Sequence, residues 1–307
     1  MGTAFVSHPI CCRHEHGGAH PECPARLVAI EDQLVAAGLM DHLQRIEAKP
    51  ATRDQLLRAH DESLLRWIES QSPSTGLVHL GDDITLNPWS LEAARLAAGA
   101  VVCAVDGVLS KEFANAFCSV RPPGHHASRN HSAGFCIFNN IAVGALHALE
   151  HHGLDRVAIC DFDVHHGNGT EAIFHEDPRV LLCSSFQHPF YPFSGADTGN
   201  AHIIPTPLPA WSEGDAARVA VEKTWLPALE AFQPQMLFIS AGFDAHREDD
   251  MAMLGWREDD YAWITTQLKA AADRHCGGRI VSALEGGYAL SVLGRSVAAH
   301  IRVLAGL

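Results

Sequence analysis

The stretch "VAICDFDVHHGNGTEAIF", residues 157–174, passes from four apolar residues into two aspartates, two adjacent histidines and a Gly-Asn-Gly turn. The run "VAIC" reads as a short strand buried on both faces, and "GTEAIF" as the start of a helix. A buried strand, a polar end and a following helix make one unit of a parallel α/β sheet, where ligands gather beyond the carboxyl ends of the strands. Asp161, Asp163 and His165 are spaced by two, so in extended backbone their side chains share one face, with successive Cα atoms about 6–7 Å apart. Carboxylate and imidazole suit Zn²⁺ or Fe²⁺, and a third protein ligand from elsewhere would leave the open coordination position that hydrolysis needs. The same period sends His166 to the opposite face, as a support residue. A plainer reading makes Asp163 or Asn168 the cap of a helix over 169–175, but a cap accounts for one polar residue and not for four.

Working outward, similar apolar runs recur at 3–7, 115–120, 156–162, 179–185, 235–242 and 279–287. Amphipathic segments at 25–38, 53–70, 90–110, 138–152, 212–232, 258–275 and 288–305 alternate with them. This alternation predicts a parallel sheet with helices on both faces. There is no internal repeat, low-complexity linker or composition break, so one domain over 1–307 is expected. Segments 8–24, 71–89, 121–134 and 186–210 are longer than ordinary connections, and loops of that length usually carry function.

Further strand ends carry chemistry. Asp244 in "ISAGFDAH" is the natural third metal ligand; His246 is left out, because it would close the site with a fourth ligand. His125 and His126 follow a stiff Pro-Pro-Gly turn, where two imidazoles can divide labour, one a base and the other kept cationic by a carboxylate. Tyr288 in "LEGGYAL" follows two glycines that allow close backbone approach, and its phenol can donate to a developing oxyanion or simply pack at the first turn of the last helix. His14, His16 and His20 read as solvated loop histidines. The pair His151–His152 reads as helix-end groups.

Composition narrows the function classes. A net charge of −14, with 36 acidic against 22 basic residues, argues against direct nucleic-acid binding. No apolar run approaches the length of a membrane span, and the start lacks a secretory pattern. Nine cysteines without a CxxC pair suit a reducing compartment, hence a cytoplasmic protein. No GxGxxG or GxxxxGK[ST] motif is present, which speaks against a phosphate-loop nucleotide site. The 21 histidines are the compositional oddity.

The ordered motifs "RPPGHHAS", "GFCIFNN", "DFDVHHGNGT", "SAGFDAH" and "LEGGYAL", preceded by "HPECPARL", resemble the histone deacetylase superfamily. The resemblance is nearest to class II and its bacterial relatives, which include the acetylpolyamine amidohydrolases. It implies the arginase-deacetylase fold, a single eight-stranded parallel sheet sandwiched by helices, and zinc-dependent hydrolysis of an acyl amide. On this resemblance the zinc ligands are Asp163, His165 and Asp244, with Fe²⁺ an alternative ion. His126 is the general base, partnered by Asn168 where class I members have aspartate, and His125 is the second imidazole, oriented by Asp161. Tyr288 polarises the substrate carbonyl. Phe135 and Tyr191 form the walls of an acyl-lysine tunnel, with Gly134 and Gly286 also at the substrate. A structural potassium would take Asp161, Asp163, His165, Ser184 and Ser185.

The expected substrate is an acetylated lysine in a protein or peptide, and the alternative is an acetylated polyamine. Polyamine-selective members carry an acidic gatekeeper where Met251 aligns, with Asp250 beside it. Association into a homo-oligomer is also considered. A catalytically silent acyl-lysine binder would have lost a ligand, a tandem histidine or the tyrosine, and a binuclear ureohydrolase would need more bridging carboxylates.

Overall fold

The apolar run before the two aspartates forms the strand Val157–Asp161 and lies inside a sheet of eight strands, every pairing of which is parallel. The computed structural model describes residues 1–307. Strands are numbered in chain order: β1 (Thr3–Ser7), β2 (Leu43–Glu47), β3 (Val78–Gly81), β4 (Ile84–Leu86), β5 (Asn115–Cys118), β6 (Val157–Asp161), β7 (Val180–Gln187), β8 (Ile203–Leu208), β9 (Leu237–Ala241) and β10 (Ile280–Leu284). The large sheet runs β2-β1-β5-β10-β9-β6-β7-β8, and β3 pairs with β4 in a separate antiparallel hairpin.

Every residue of β5, β6, β7, β9 and β10 is buried, as expected of central parallel strands covered on both faces. Two groups of helices provide the cover. In one, α4 (Ser90–Leu109) packs on α5 (Asn140–Glu150), which also meets α2 (Arg53–Ala59). In the other, α10 (Leu290–Ala305) packs on both α1 (Ala25–Ala36) and α9 (Glu258–His275). Eighty-five buried residues form one contiguous apolar cluster.

The six apolar runs read from the sequence all become strands, but the sheet has two more. β2 and β8 are its edges, and edge strands lack the continuous apolar signal. β2 is "LQRIE", largely exposed, and β8 is "IIPTPL", whose two prolines are tolerated because an edge need not donate on both sides. Segment 53–70 is two helices, α2 and α3 (Glu62–Gln71), broken at His60. The His60 imidazole lies 2.8 Å from the Ser128 carbonyl and accepts from the Asn139 amide at 2.9 Å, tying the break to loop 121–134. Segment 212–232 is interrupted by a widened turn, Val221–Trp225, between α7 (Gly214–Ala220) and α8 (Leu226–Phe232). Pro227 cannot donate to the preceding turn and so disrupts regular helix there. Segment 71–89 holds the β3–β4 hairpin, with Asp82 and Asp83 both left-handed at φ 46° and 60°, as a tight hairpin turn requires.

Candidate active site and metal centre

The carboxyl ends of β5, β6, β9 and β10, neighbours at the middle of the sheet, bring the charged motifs together. The backbone after β6 does not stay extended, as the spacing argument assumed. Instead the Asp163 amide donates to Asp161 Oδ1 at 3.1 Å, and the His165 amide donates to Asp163 Oδ1 at 2.9 Å. These local turns separate the three side chains: Asp161 faces His125, while Asp163 and His165 converge on Asp244. One donor atom from each of Asp163, His165 and Asp244 lies within 4.8 Å of the others, and all three residues are buried. His165 Nδ1 is 3.0 Å from Asp163 Oδ1 and 3.3 Å from Asp244 Oδ2.

The surroundings orient these carboxylates. The Val164 amide donates to Asp244 Oδ1 at 3.0 Å, and the Gly286 amide donates to Asp163 Oδ2 at 2.8 Å. Asp244 Oδ2 is buried and makes no well-formed hydrogen bond, its one polar neighbour being His165 Nδ1 at 3.3 Å, a costly state unless something else takes up its charge. Burial and the neighbouring Asp163 push the Asp244 carboxyl up to about 6. Two carboxylates and one imidazole converging around an orphaned oxygen fit a divalent cation of the zinc type. A side chain at Gly286 would run into Asp244 Oδ2 and Asp163 Oδ2, so glycine is required at that close approach.

The tandem histidines sit beside this cluster with their rings 4.1 Å apart. His125 Nδ1 is 2.9 Å from Asp161 Oδ2, and His126 Nδ1 is 2.7 Å from Asn168 Oδ1. Asn168 is the first residue of α6 (Asn168–Phe174), and neither it nor Asp163 caps that helix. The two imidazoles are pushed in opposite directions. Burial opposes charge on His125, but Asp161, Asp163 and Glu285 outweigh it and hold it well above the ordinary imidazole range. Burial, then the charges of His125 and His165, push His126 well below that range.

A cavity of about 240 Å³ opens on this cluster. His126, His165 and Tyr288 line it together with Gly134, Phe135, Phe190 and Tyr191, and Asp83 and Met251 complete its wall. Gly134 and Phe135 are both left-handed, at φ 53° and 67°, a rare state for phenylalanine. A side chain at Gly134 would meet the His126 ring. The Gly134 amide donates to the Asp82 carbonyl at 3.1 Å, which anchors the β3–β4 hairpin against this loop. Burial raises the Tyr288 phenol well above its ordinary pKa, so it stays neutral and able to donate. It lies before α10 begins and is not part of its first turn.

Several contributors escaped the motif reading. Phe190 stacks on His165 with centroids 5.6 Å apart. Buried Glu285 accepts from the Gly124 and His125 amides at 2.6 and 3.1 Å and from Ser240 Oγ at 3.1 Å, fixing the Pro-Pro-Gly-His-His turn. Asp249 Oδ2 accepts from the Tyr288 and Ala289 amides at 2.6 and 2.9 Å. The glutamate lies inside a motif that was read, "LEGGY", but its distant partners carry no local signal; Asp249 carried none either.

The N-terminal histidines require a correction. His14 and His16 are buried, not solvated. His14 Nδ1 is 2.8 Å from Ser90 Oγ, and His16 Nε2 is 3.1 Å from Glu22 Oε2. Glu22 also pairs with Arg121 and Arg26, and the Arg26 guanidinium sits 4.9 Å over the Tyr288 ring. His20 remains partly exposed and packs edge-on to Phe135 at 4.8 Å. His166 does turn away, to Ser184 Oγ at 3.1 Å and Glu171 Oε2 at 2.8 Å, although through the local turns after Asp161 and not through the period of an extended strand. Asp161 pairs in register with Ser184, and the buried Ser185 hydroxyl has no partner.

Comparison with known proteins agrees with this geometry. A model of the histone deacetylase domain matches residues 20–304. The chain is 39% identical to a histone deacetylase-like amidohydrolase of Pseudomonas aeruginosa, over 93% of this chain and 81% of that protein. It is 36% identical to the polyamine deacetylase HDAC10 of Homo sapiens, over 100% of this chain and 48% of that protein. The crystal structure of the HDA15 HD domain superposes with a TM-score of 0.94 at 34% identity, covering 99% of this chain and 88% of that one. With an eight-stranded parallel arginase-deacetylase sheet and a family match over nearly its whole length, the chain belongs to the histone deacetylase family of amide-hydrolysing deacetylases.

Proposed function

We propose that the protein is a zinc-dependent deacetylase that cleaves the acetyl amide of N-acetyl-lysine in proteins or peptides, releasing acetate. The observation that carries this reading is the convergence of Asp163, His165 and Asp244 beside His126 and Tyr288, at one aromatic-walled cavity. Asp163, His165 and Asp244 would hold a Zn²⁺ ion, which when bound would supply Lewis-acid polarisation of the acyl carbonyl. His126, kept neutral by burial and with Nδ1 turned to Asn168, presents its other ring nitrogen to accept a proton from the attacking water. The Tyr288 phenol donates to the oxyanion that develops on the carbonyl oxygen. An imidazole of the tandem pair then protonates the leaving amine, His125 being kept cationic by Asp161. Phe135, Phe190 and Tyr191 enclose an apolar side-chain stem and exclude water.

Residues 1–307 act on this reading as one deacetylase domain, supported by the single contiguous core. A potassium ion bound by Asp161, Asp163, His165, Ser184 and Ser185 would explain the unpartnered Ser185 hydroxyl. No helix is long and apolar enough to cross a membrane.

Acetylpolyamine hydrolysis is the second reading, favoured by the likeness to a polyamine deacetylase and by the acidic Asp83 at the cavity. Against it, apolar Met251 lines that cavity, whereas Asp250 lines only an adjoining depression. Rates on an acetyl-lysine peptide and on N-acetylputrescine, measured side by side, decide between them. A kcat/KM higher for the peptide is expected, and the reverse order would assign the polyamine.

A further inference from the structure

We propose that the chain carries a second metal site, for a divalent transition ion such as Zn²⁺ or Ni²⁺, formed by His147, His151, His152 and Asp106 where the ends of α4 and α5 meet. His147 and His151 are four apart and therefore share one face of α5 at its end; their rings stack with centroids 4.7 Å apart. His152 follows immediately, and one ring nitrogen from each of the three histidines lies within 4.8 Å of the others. Asp106, in the last turn of α4, places Oδ1 2.7 Å from Nε2 of His147 and 2.7 Å from Nε2 of His152.

The three imidazoles, with the Asp106 carboxylate against two of them, offer donors that prefer borderline transition ions over Mg²⁺ or Ca²⁺. The ends of both helices present carbonyl oxygens, which favour positive charge. His151 is exposed and His152 is accessible, so an ion can enter from solvent, while buried His147 gives the site a fixed wall. Burial opposes ionisation of Asp106, but hydrogen bonds from His147 and His152 outweigh it and keep the carboxylate charged.

Binding requires a proton rearrangement and no net loss. Arg58 Nη1 lies 2.8 Å from His147 Nδ1, so the His147 proton sits on Nε2 and faces Asp106. Coordination through Nε2 moves that proton, and the one His152 Nε2 directs at the same Asp106 oxygen, to the respective Nδ1 atoms, and turns Arg58 toward Glu150, whose Oε2 is 3.8 Å from Arg58 Nε. The site is separate from the deacetylase cavity. α5 begins where Asn140 donates to the Pro122 carbonyl, beside the tandem histidines, and its 11 residues carry the chain about 16 Å away from them.

The test is the zinc retained after equilibrium dialysis by the wild-type protein and by the exposed-residue variant His151→Gln/His152→Gln, with deacetylation rates measured on both. The wild type is expected to retain about one equivalent more than the variant at equal deacetylation rate, and Asp106→Asn to weaken that extra equivalent about tenfold. Equal zinc retention by the wild type and both variants would overturn the site. So would loss of zinc that tracks loss of deacetylation, because the metal would then be the one at Asp163, His165 and Asp244.

Discussion

Of the polar residues at the cavity, His126 and Tyr288 are each held so that one group stays free to act on a substrate. Tyr288 is a neutral phenol lining the cavity, with its backbone amide held by Asp249. Replacing Tyr288 by Phe should lower kcat on an acetyl-lysine peptide about 10²-fold, the usual effect of deleting one oxyanion donor, while zinc content is retained. Asp249→Ala should also lower the rate, by misplacing Tyr288. In the Tyr288→Phe background the same change should cost much less, because the donor it positions is already gone; two independent, multiplying effects would refute that link. The residues that converge at the cavity, Asp163, His165, Asp244, His126 and Tyr288, were legible in the sequence because each lies in a short motif at a strand end. Glu285 was hidden in plain view, inside "LEGGY", because nothing local says that its carboxylate reaches back to the Gly124 and His125 amides. His14 and His16 were misread for a related reason. Their partners are Ser90 at the start of α4 and Glu22, itself paired with Arg121 and Arg26; Ser90 and Arg121 are distant in sequence, so no local pattern announces the burial.

At the scale of elements, the central strands were readable and the edges were not. Continuous apolar runs mark β5, β6, β7, β9 and β10, whereas β2 is half polar and β8 carries Pro205 and Pro207. The break between α2 and α3 was likewise invisible, since the amphipathic pattern continues through it. What ends α2 is tertiary: the His60 imidazole bridges the Ser128 carbonyl and the Asn139 amide. That bridge ties the helix pair to the loop bearing the tandem histidines and to the first turn of α5. Removing it leaves the buried Asn139 amide and the half-buried Ser128 carbonyl unpaired, so His60→Ala should cost about 2 kcal/mol in urea-induced unfolding. A loss below about 0.5 kcal/mol, the range of an ordinary surface change, would show that the bridge is dispensable.

For the whole molecule, buried neutral histidines set a direction for acid stability. His300 is fully buried, bonded to Thr265 and Ser282 and ringed by Phe117, Phe162 and Phe243, and burial pushes it down to about 3. In the unfolded chain it titrates near 6.5. Between those values the unfolded chain binds the extra proton, so stability is flat above about pH 6.5 and falls as pH drops toward 3. His60, pushed down to about 4 by burial, acts in the same direction. A His300→Gln variant should therefore lose less stability than wild type between pH 7 and pH 5, by about 1.4 kcal/mol per pH unit in the steepest region; identical pH slopes would rule His300 out as a source of acid lability. The central claim concerns the same molecule at neutral pH: the Asp163, His165 and Asp244 cluster holds a metal on which amide cleavage depends. Its most direct test is acetate release from an acetyl-lysine peptide by chelator-stripped protein, before and after zinc is added back. The stripped protein should be inactive and zinc should restore it, with no restoration in Asp244→Ala; a metal-free protein that cleaves the peptide at the full rate would contradict the account.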